Sequence, residues 1–179
     1  LQLKFDAMTV YLTGANSPGY LSSTNIRNLF LDEVDKFQGA SKKEADPVSL
    51  AIERTKSYMH RKRILITSTP TLKAGHIWRK KEAADMEKHY FVPCPHCGEH
   101  IELKFAQIKW QPKDEIPEPA DRAEKAVYVC QACGCLITDQ DKGRMLQAGR
   151  WPVVRKKPQR PKRVAYWITT LYSPFSRFS

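Results

Sequence analysis

The sequence predicts an α/β fold in which a mostly parallel sheet is followed by a small β-module that carries paired cysteines. The first observation is a strand, helix, strand pattern over residues 28–70, which is typical of parallel sheets. The second is a change after residue 90 to short alternating strands with two Cys-x-x-Cys-Gly turns. We therefore divide the chain into domains at residues 1–90, 91–138 and 139–179.

Three strands are predicted in the first domain, from "MTVYLTG" (8–14), "NLFLDE" (28–33) and "RILITSTP" (63–70). The last has the continuous apolar character of a strand that is covered on both faces. A helix lies before it, because Asp46 is a good N-cap, Pro47 suits the first helical position, and an apolar stripe continues to Met59. Such a unit binds ligands at the carboxyl ends of its strands.

Later elements follow in the same way. A second helix is predicted over residues 76–88, and a short helix begins at Asp139. A basic, proline-rich linker over residues 150–163 then leads to the strand "RVAYWITTLY" (163–172), which would begin a further domain. We therefore expect this chain to be a piece of a longer protein.

Basic residues outnumber acidic ones, with 30 Lys and Arg against 19 Asp and Glu and a formal net charge of +11. Their clusters at residues 54–63, 78–81 and 150–163 indicate an anionic partner, either nucleic acid or a membrane surface, although solvated faces would explain them too. No apolar run approaches the roughly 18 residues that span a bilayer. We expect an intracellular protein whose five cysteines stay reduced and bind metal.

Two matching turns, "CPHCG" (94–98) and "CQACG" (130–134), predict a metal site. Each turn places two thiolates together, and the two turns supply the four soft ligands of a tetrahedral Zn²⁺ site, Cys94, Cys97, Cys130 and Cys133. Between them, Ile101, Leu103 and Phe105 alternate with polar residues, and "VYVC" supplies a return strand, as in a zinc ribbon. Because protein fills all four positions, the zinc is expected to be structural.

Two alternatives concern these cysteines. A redox pair of the thioredoxin kind is disfavoured, because two pairs recur without a suitable βαβ context. Cys135 is expected to be a small buried residue, and its replacement of Cys133 as a ligand stays open.

The stretch "LFLDEVD" (29–35) ends a buried strand in adjacent carboxylates. A core strand that emerges into a charged turn is one explanation. The other is the Walker B pattern of P-loop NTPases, in which Asp32 holds Mg²⁺ on the nucleotide phosphates and Glu33 orients and deprotonates the attacking water. "TSTPT" (67–71) ends the next strand with hydroxyl residues placed to sense a γ-phosphate, or simply forms a serine/threonine turn.

The phosphate-binding loop of such an NTPase has the form G-x-x-x-x-G-K-[ST]. "GANSPGYL" (14–21) has the glycine spacing, but Tyr20 and Leu21 stand where lysine and serine or threonine are needed. We therefore expect the loop to precede this chain in a longer parent, and we expect this piece alone not to hydrolyse ATP.

The order of these motifs resembles the large terminase subunit of the lambda type, from tailed phages and prophages. The resemblance covers nearly the whole chain through "GANSPGYLSS", "LFLDEVDKFQ", "DPVSLAIERTKSY", "RKRILITSTPT", "HYFVPCPHCGEHIEL", "YVCQACG" and "LYSPF". It implies a DNA-packaging motor in which an ATPase domain of the additional-strand P-loop class drives double-stranded DNA into a procapsid and a C-terminal nuclease cuts it. It also implies ATP and Mg²⁺ as cofactors, the small terminase subunit, portal and procapsid as partners, a homo-oligomeric motor, and action in the host cytoplasm.

The resemblance also assigns roles by position. Asp32 corresponds to the Mg²⁺ carboxylate and Glu33 to the catalytic one. The coupling motif corresponds to Ser68, Thr69 and Pro70, and the zinc-binding cysteines of the family correspond to Cys94, Cys97, Cys130 and Cys133. The phosphate-binding loop and the nuclease carboxylates are missing, so we expect a partial P-loop NTPase sheet with an appended zinc ribbon.

Two other functions stay open. A helicase-like translocase fragment is one, since D-E-V-D resembles helicase motif II and "TSTPT" resembles motif III, but a second RecA-like domain would have to follow. A non-enzymatic zinc-ribbon module that binds DNA is the other. Backbone contacts to DNA are predicted for two basic groups, Arg61, Lys62 and Arg63 near the sheet and Arg155, Lys156 and Lys157 on the linker.

Overall fold

The structure, a computed structural model, describes residues 1–15, 24–37, 46–110, 112, 115–158 and 160–178. The chain divides into two compact units, Leu1–Ala83 and Ala84–Ser179. Both contain small sheets and short helices, which confirms the mixed α/β class, while the three predicted domains stay a prediction. Most of the "GANSPGYL" loop lies outside the described residues. Within the described ranges, no helix is long and apolar enough to cross a membrane.

The first unit contains two small sheets. β1 (Gln2–Lys4) pairs antiparallel with β2 (Thr9–Tyr11), and β3 (Asn28–Leu31) pairs in parallel with β4 (Arg63–Ile66). Its helices are α1 (Pro47–Glu53) and α2 (His76–Ala83), and 3-10 turns occupy Val34–Lys36 and Lys56–Tyr58. The order β3, α1, β4 matches the predicted strand, helix, strand unit, whereas a larger parallel sheet stays a prediction.

Helix α1 begins where its sequence predicts. The Asp46 carboxylate accepts hydrogen bonds from the backbone N–H and the hydroxyl of Ser49, at 2.9 and 2.8 Å, and Pro47 follows as the first helical residue. Burial raises the pKa of Asp46, but the Ser49 hydrogen bonds outweigh it, so the pKa lies below its usual value.

The predicted length of α1 is wrong. The helix ends at Glu53, and Met59 at the end of the predicted stripe is 69% exposed. The N–H and the hydroxyl of Thr55 both donate to the carbonyl of Ile52, at 3.0 and 2.7 Å. These bonds span three residues and tighten the chain into a 3-10 turn, which takes the later apolar residues off the helical stripe.

One face of the β3–β4 pair is packed. Leu29 and Leu31 of β3 belong to a buried apolar cluster that also contains Val34, Val48 and Ala51. Side chains alternate along a strand, and Leu65 of β4, on the opposite face, is 52% exposed. The expectation that this strand is covered on both faces is therefore wrong for the described residues.

The strands of the second unit are, in chain order, β5 (Met86–His89), β6 (Val92–Pro93), β7 (His100–Ile101), β8 (Ile108–Lys109), β9 (Val127–Val129), β10 (Leu136–Ile137), β11 (Val153–Lys156) and β12 (Val164–Trp167). β5 lies between β11, to which it is antiparallel, and β12, to which it is parallel. β6 pairs with β7, and β9 lies between β8 and β10, all antiparallel. The helices are α3 (Pro119–Glu124) and α4 (Asp139–Gln147).

The predicted end of α2 and the predicted linker are wrong, and the helix predicted from Asp139 is confirmed. The helix predicted over residues 76–88 is present from His76 as α2 of the first unit, but it stops at Ala83, and β5 follows it. The predicted linker over residues 150–163 contains β11, whose backbone pairs with β5. At the other end of this segment, the Asp85 carboxylate accepts backbone hydrogen bonds from Lys162 and Arg163, at 3.1 and 3.0 Å. The short helix from Asp139 is confirmed as α4.

The core of the second unit includes aromatic residues near its end. Tyr172 and Phe178 are 5% and 2% exposed and lie in one apolar cluster with Ile101, Leu103 and Tyr128. The Tyr172 hydroxyl donates to the Tyr90 carbonyl and accepts from the Leu103 N–H at 2.7 Å. Burial raises the pKa of Tyr172 to about 12. The predicted alternation of buried and polar residues over residues 101–105 holds at Ile101 and Leu103. It fails at Phe105, which is 68% exposed in a 3-10 turn.

A buried carboxylate joins β5 to β11. Glu87 is 5% exposed, and its Oε2 accepts hydrogen bonds from Nε and Nη2 of Arg155, at 3.0 and 2.9 Å. His89 lies between two carboxylates, with Nε2 2.9 Å from Glu87 Oε1 and Nδ1 2.5 Å from Glu102 Oε1. Because an unpaired buried charge is costly, Arg155 has a structural role in this sheet.

We predict that Gly149→Ala lowers the free energy of unfolding by about 1–3 kcal/mol through overpacking. An added Cβ would lie 2.3 Å from Cζ of Tyr90, whose ring is packed against Trp151 and Tyr172. Urea unfolding followed by tryptophan fluorescence measures the change. Gly143→Ala is the matched control, since its Cβ meets nothing within 4 Å and alanine favours helix α4. Equal destabilisation by both variants would contradict the steric explanation.

Candidate functional site

Carboxylate and hydroxyl groups meet at one edge of the β3–β4 sheet. Asp32 follows β3 and Thr67 follows β4, and the parallel register sets Leu31 opposite Ile66, so the two residues leave the sheet side by side. The Thr67 N–H donates to the Leu31 carbonyl at 2.8 Å, and its hydroxyl donates to Asp32 Oδ1 at 2.5 Å. The Thr67 hydroxyl thus holds the Asp32 carboxylate just beyond the last paired residues of the two strands. This position is next to Ser68, the first residue of the predicted coupling motif.

Glu33 adopts an unusual backbone conformation. Its φ of 56° and ψ of 40° lie in the left-handed region, and it is the one non-glycine residue with positive φ in the described parts of the chain. This conformation costs roughly 1–2 kcal/mol, and such outliers concentrate at functional sites. The Glu33 carboxylate pairs with Lys36 at 3.1 Å, and both side chains are substantially exposed. Oε2 of Glu33, the oxygen that faces Lys36, is itself buried and has no hydrogen-bond partner among the described residues, so Glu33 can take another one.

A third carboxylate, Asp35, links the turn after β3 to the segment after β4. Its N–H donates to the Ser68 hydroxyl at 3.1 Å. Its Oδ2 accepts from the Thr71 N–H at 3.2 Å, and its Oδ1 accepts from the Ile77 N–H in the first turn of α2 at 2.8 Å. The sequence patterns predict no role for Asp35; its place in the same acidic run as Asp32 was the signal that could have identified it.

The remaining predicted site residues of the first unit lie at two ends of β4. Thr69 is exposed and Pro70 is half-buried, next to Ser68 at the carboxyl end. The predicted DNA-binding residues Arg61, Lys62 and Arg63 precede or begin the strand, about 13 Å away at the other end. The carboxylates and this basic group therefore do not come together.

The predicted basic group of the second unit is divided in a similar way. Arg155 is engaged by Glu87, as described above, while Lys156 and Lys157 are exposed. Paired strand residues point to the same face of a sheet, so Arg155, opposite Glu87, and Lys156, opposite Met86, point to different faces of the sheet.

The four predicted metal ligands are brought together in the second unit. The Sγ atoms of Cys94, Cys97, Cys130 and Cys133 all lie within 4.8 Å of one another. The Cys94 and Cys133 sulfurs are 3.9 Å apart. A tetrahedral site with Zn–S bonds of about 2.3 Å has sulfurs about 3.8 Å apart. All four side chains are free thiols, and their number and spacing are compatible with zinc.

The two cysteine turns have the same backbone design. Gly98 and Gly134 both have a φ of 74°, a conformation that favours glycine. The N–H of Gly98 donates to the Cys94 carbonyl and that of Gly134 to the Cys130 carbonyl, each at 2.9 Å. The repeated turn brings both thiols of each pair to one side.

Backbone amides also point at sulfur. Burial raises the pKa of Cys130, but hydrogen bonds from the amides of Cys133 and Ala132 outweigh it and lower the pKa to about 7. This favours the thiolate, the form that binds metal, at Cys130, whereas burial raises the pKa of the Cys94 thiol. Cys135 lies outside the four-sulfur cluster and is exposed, so the expectation of a buried Cys135 is wrong; it lies in the turn before β10, away from the apolar core.

Adjacent strand-end carboxylates beside a hydroxyl-rich segment are typical of nucleotide-hydrolysing α/β domains. The family described as "Phage terminase large subunit gpA, ATPase domain" matches residues 1–151, and the chain belongs to this family. The resemblance predicted from the motif order is therefore confirmed.

Relatives of known identity agree with the family. The chain is 29% identical over 168 residues to the large terminase subunit of Enterobacteria phage P21, and 27% identical over 168 residues to that of Escherichia phage lambda. Each comparison covers 81% of this chain and 24% of the relative, so the chain spans about a quarter of their length. No solved structure gives a significant match.

We predict that Asp35→Ala releases the segment after β4 from the turn after β3. The variant leaves the N–H groups of Thr71 and Ile77 without their acceptor, which destabilises the first unit by about 1–3 kcal/mol. NMR hydrogen exchange of these two amides measures the effect, and both should exchange faster. Asp6→Ala, at an exposed residue between β1 and β2, is the control. Unchanged exchange at both amides in Asp35→Ala would show that Asp35 is not the link.

Proposed function

We propose that this chain is part of the ATP-driven motor of a terminase large subunit that packages double-stranded DNA. The observation that carries the proposal is the position of Asp32 and Glu33, directly after a parallel strand and beside Thr67 and Ser68, in a chain of the ATPase-domain family. The nuclease activity, the small terminase subunit, the portal and procapsid as partners, assembly into a homo-oligomer and action in the host cytoplasm are proposed for the complete protein.

Asp32 and Glu33 have separate roles in this proposal. Mg²⁺ bound to ATP would neutralise charge on the phosphates, and the Asp32 carboxylate would hold it. The hydrogen bond from the Thr67 hydroxyl fixes the orientation of that carboxylate. Glu33 is the general base that orients the attacking water and accepts its proton. Its pairing with Lys36 leaves Oε2 without a hydrogen-bond partner in the described parts of the chain, so this oxygen is able to do so.

The Asp35 contacts support a coupling role for Ser68, Thr69 and Pro70. Ser68 contacts Asp35, whose carboxylate also holds Thr71 and the start of α2. A change at the phosphate end of the site that moves Ser68 would shift these contacts together. We propose that α2 carries this movement away from the nucleotide.

We further propose that Cys94, Cys97, Cys130 and Cys133 hold a structural zinc ion and that the surrounding strands form a zinc ribbon. The support is the four-sulfur cluster with spacings compatible with a tetrahedron. DNA phosphates are proposed to contact Arg61, Lys62 and Arg63, together with Lys156 and Lys157. Arg155 is proposed to stabilise the sheet through its ion pair with Glu87 and to contribute less than these lysines to DNA binding. Membership in the terminase family favours this function over a helicase-like translocase or a non-enzymatic DNA-binding module.

We predict that Glu33→Gln abolishes DNA-stimulated ATP hydrolysis by the terminase large subunit that carries this segment. The amide keeps the size of the side chain but cannot accept the proton, so kcat should fall at least about 100-fold while nucleotide binding persists. Glu53→Gln is a closely matched control, because Glu53 pairs with Lys56 three residues later and both pairs have side chains that are 69% and 44% exposed. Unchanged turnover in a folded Glu33→Gln variant would remove Glu33 from the mechanism.

We predict that one zinc ion copurifies with the chain and that Cys130→Ser removes it. Losing one ligand lowers affinity strongly and destabilises the second unit, because metal binding is coupled to folding. Metal analysis by mass spectrometry and thermal unfolding with and without a chelator measure both effects. Cys135→Ser is the matched control and should retain zinc, since Cys135 is exposed and outside the cluster. Full zinc occupancy in Cys130→Ser would contradict the assignment.

A further inference from the structure

The sheet of β11, β5 and β12 has two different faces. Residues paired across strands point to the same face, so Glu87, Arg155 and Ala165 lie on one side. The other side, here called the open face, consists of Met86, Lys88, Val153, Lys156, Val164 and Tyr166. On the open face, Val153 is 46%, Val164 is 42% and Tyr166 is 59% exposed. The face thus combines accessible apolar surface with two lysines.

Tyr166 is held in a defined orientation. Its ring packs perpendicular to that of Trp151, with centroids 5.2 Å apart and an interplanar angle of 89°. Trp151 in turn packs against Tyr90, whose hydroxyl donates to the Leu146 carbonyl. The Lys88 ammonium lies 5.9 Å from the Tyr166 ring centroid. The ring is therefore positioned in advance, while more than half of its surface stays accessible.

The surroundings of the open face are strongly basic. Residues 150–163, which include β11 and the loop after it, contain seven Lys and Arg and no Asp or Glu. The loop between β11 and β12 supplies Lys157, Arg160, Lys162 and Arg163. Asp85, the acidic residue at the base of this loop, is engaged by the backbone N–H groups of Lys162 and Arg163 and by the Arg163 guanidinium. The charge next to the open face thus suits a polyanion.

We propose that the open face binds single-stranded DNA, with one base stacked on Tyr166 and with backbone phosphates contacted by Lys88, Lys156 and the β11–β12 loop. A base offers its flat face to a side chain only when it is unpaired, so an exposed, pre-oriented ring favours a single strand over a duplex. Lysines around the ring follow the phosphates on either side of the base.

This inference rests on the proposed DNA contact of Lys156 and Lys157 and extends it to unpaired strands. It does not depend on Asp32, Glu33 or the metal ligands. If the lysines alone bound DNA, any polyanion of similar charge would bind with similar affinity. Stacking on Tyr166, in contrast, requires bases. The two contributions can therefore be separated by experiment.

The test uses the full chain and fluorescence anisotropy with a labelled oligo(dT) of about 15 nucleotides and a duplex of the same length. We expect Tyr166→Ala to weaken oligo(dT) binding about tenfold and to change duplex binding less than about twofold. Tyr166→Phe keeps the ring and should bind oligo(dT) as the unmodified chain does. Lys156→Gln should weaken both DNAs alike and reduce the salt dependence of binding.

Phe175→Ala is the control for loss of an exposed aromatic ring, because Phe175 is 97% exposed and lies outside the open face. Urea unfolding verifies that each variant is folded. Equal oligo(dT) affinity in folded Tyr166→Ala, or equal competition by polyglutamate, would overturn the stacking proposal. Duplex binding without preference for oligo(dT) would overturn this inference and leave the proposed duplex contact intact. Binding of neither DNA would contradict both.

Discussion

The parallel register of β3 and β4 determines where the side chains of the candidate nucleotide site lie. Leu31 stands opposite Ile66, so the next residues, Asp32 and Thr67, leave the sheet together and form a hydrogen bond. A slip of one residue would turn every side chain of one strand to the other face. The buried cluster around Leu29 and Leu31 opposes such a slip, because it would expose apolar surface. Packing on one face of the sheet thus fixes the register, and the register places Asp32 beside Thr67 at the sheet edge.

The three carboxylates at that edge differ in how many hydrogen bonds hold them. Asp35 accepts hydrogen bonds from two backbone N–H groups and joins three segments, so it is part of the scaffold. Asp32 is exposed and held by one hydroxyl and one N–H, whereas Glu33 has a strained backbone and an Oε2 that faces Lys36 without a hydrogen-bond partner in the part of the chain that the structure describes. This division suits a site in which the scaffold stays fixed while the reacting groups change partners. It also explains why three acids within four residues need not share one role.

The second unit combines short local turns with a core assembled over long distances. Its strands have two to four residues, and so little ladder pairing gives limited stability without another cross-link. The four-sulfur cluster lies where such a cross-link would join the two turns, and the aromatic residues Tyr128, Tyr172 and Phe178 fill the core. A metal ion bound there would tie the turns together and add folding free energy that a small core supplies poorly.

Sequence alone determined the features that depend on neighbouring residues. The Asp46 cap, the start of α4, the paired cysteine turns and the acidic run after β3 are local patterns whose chemistry is fixed within a few residues. The tertiary structure decided where α1 ends, that residues of the expected linker pair with β5, and that Arg155 serves Glu87, 68 positions away. It also gave Asp35 its partners. These features rest on contacts between distant segments, and local periodicity carries no information about which distant backbone groups will need a partner.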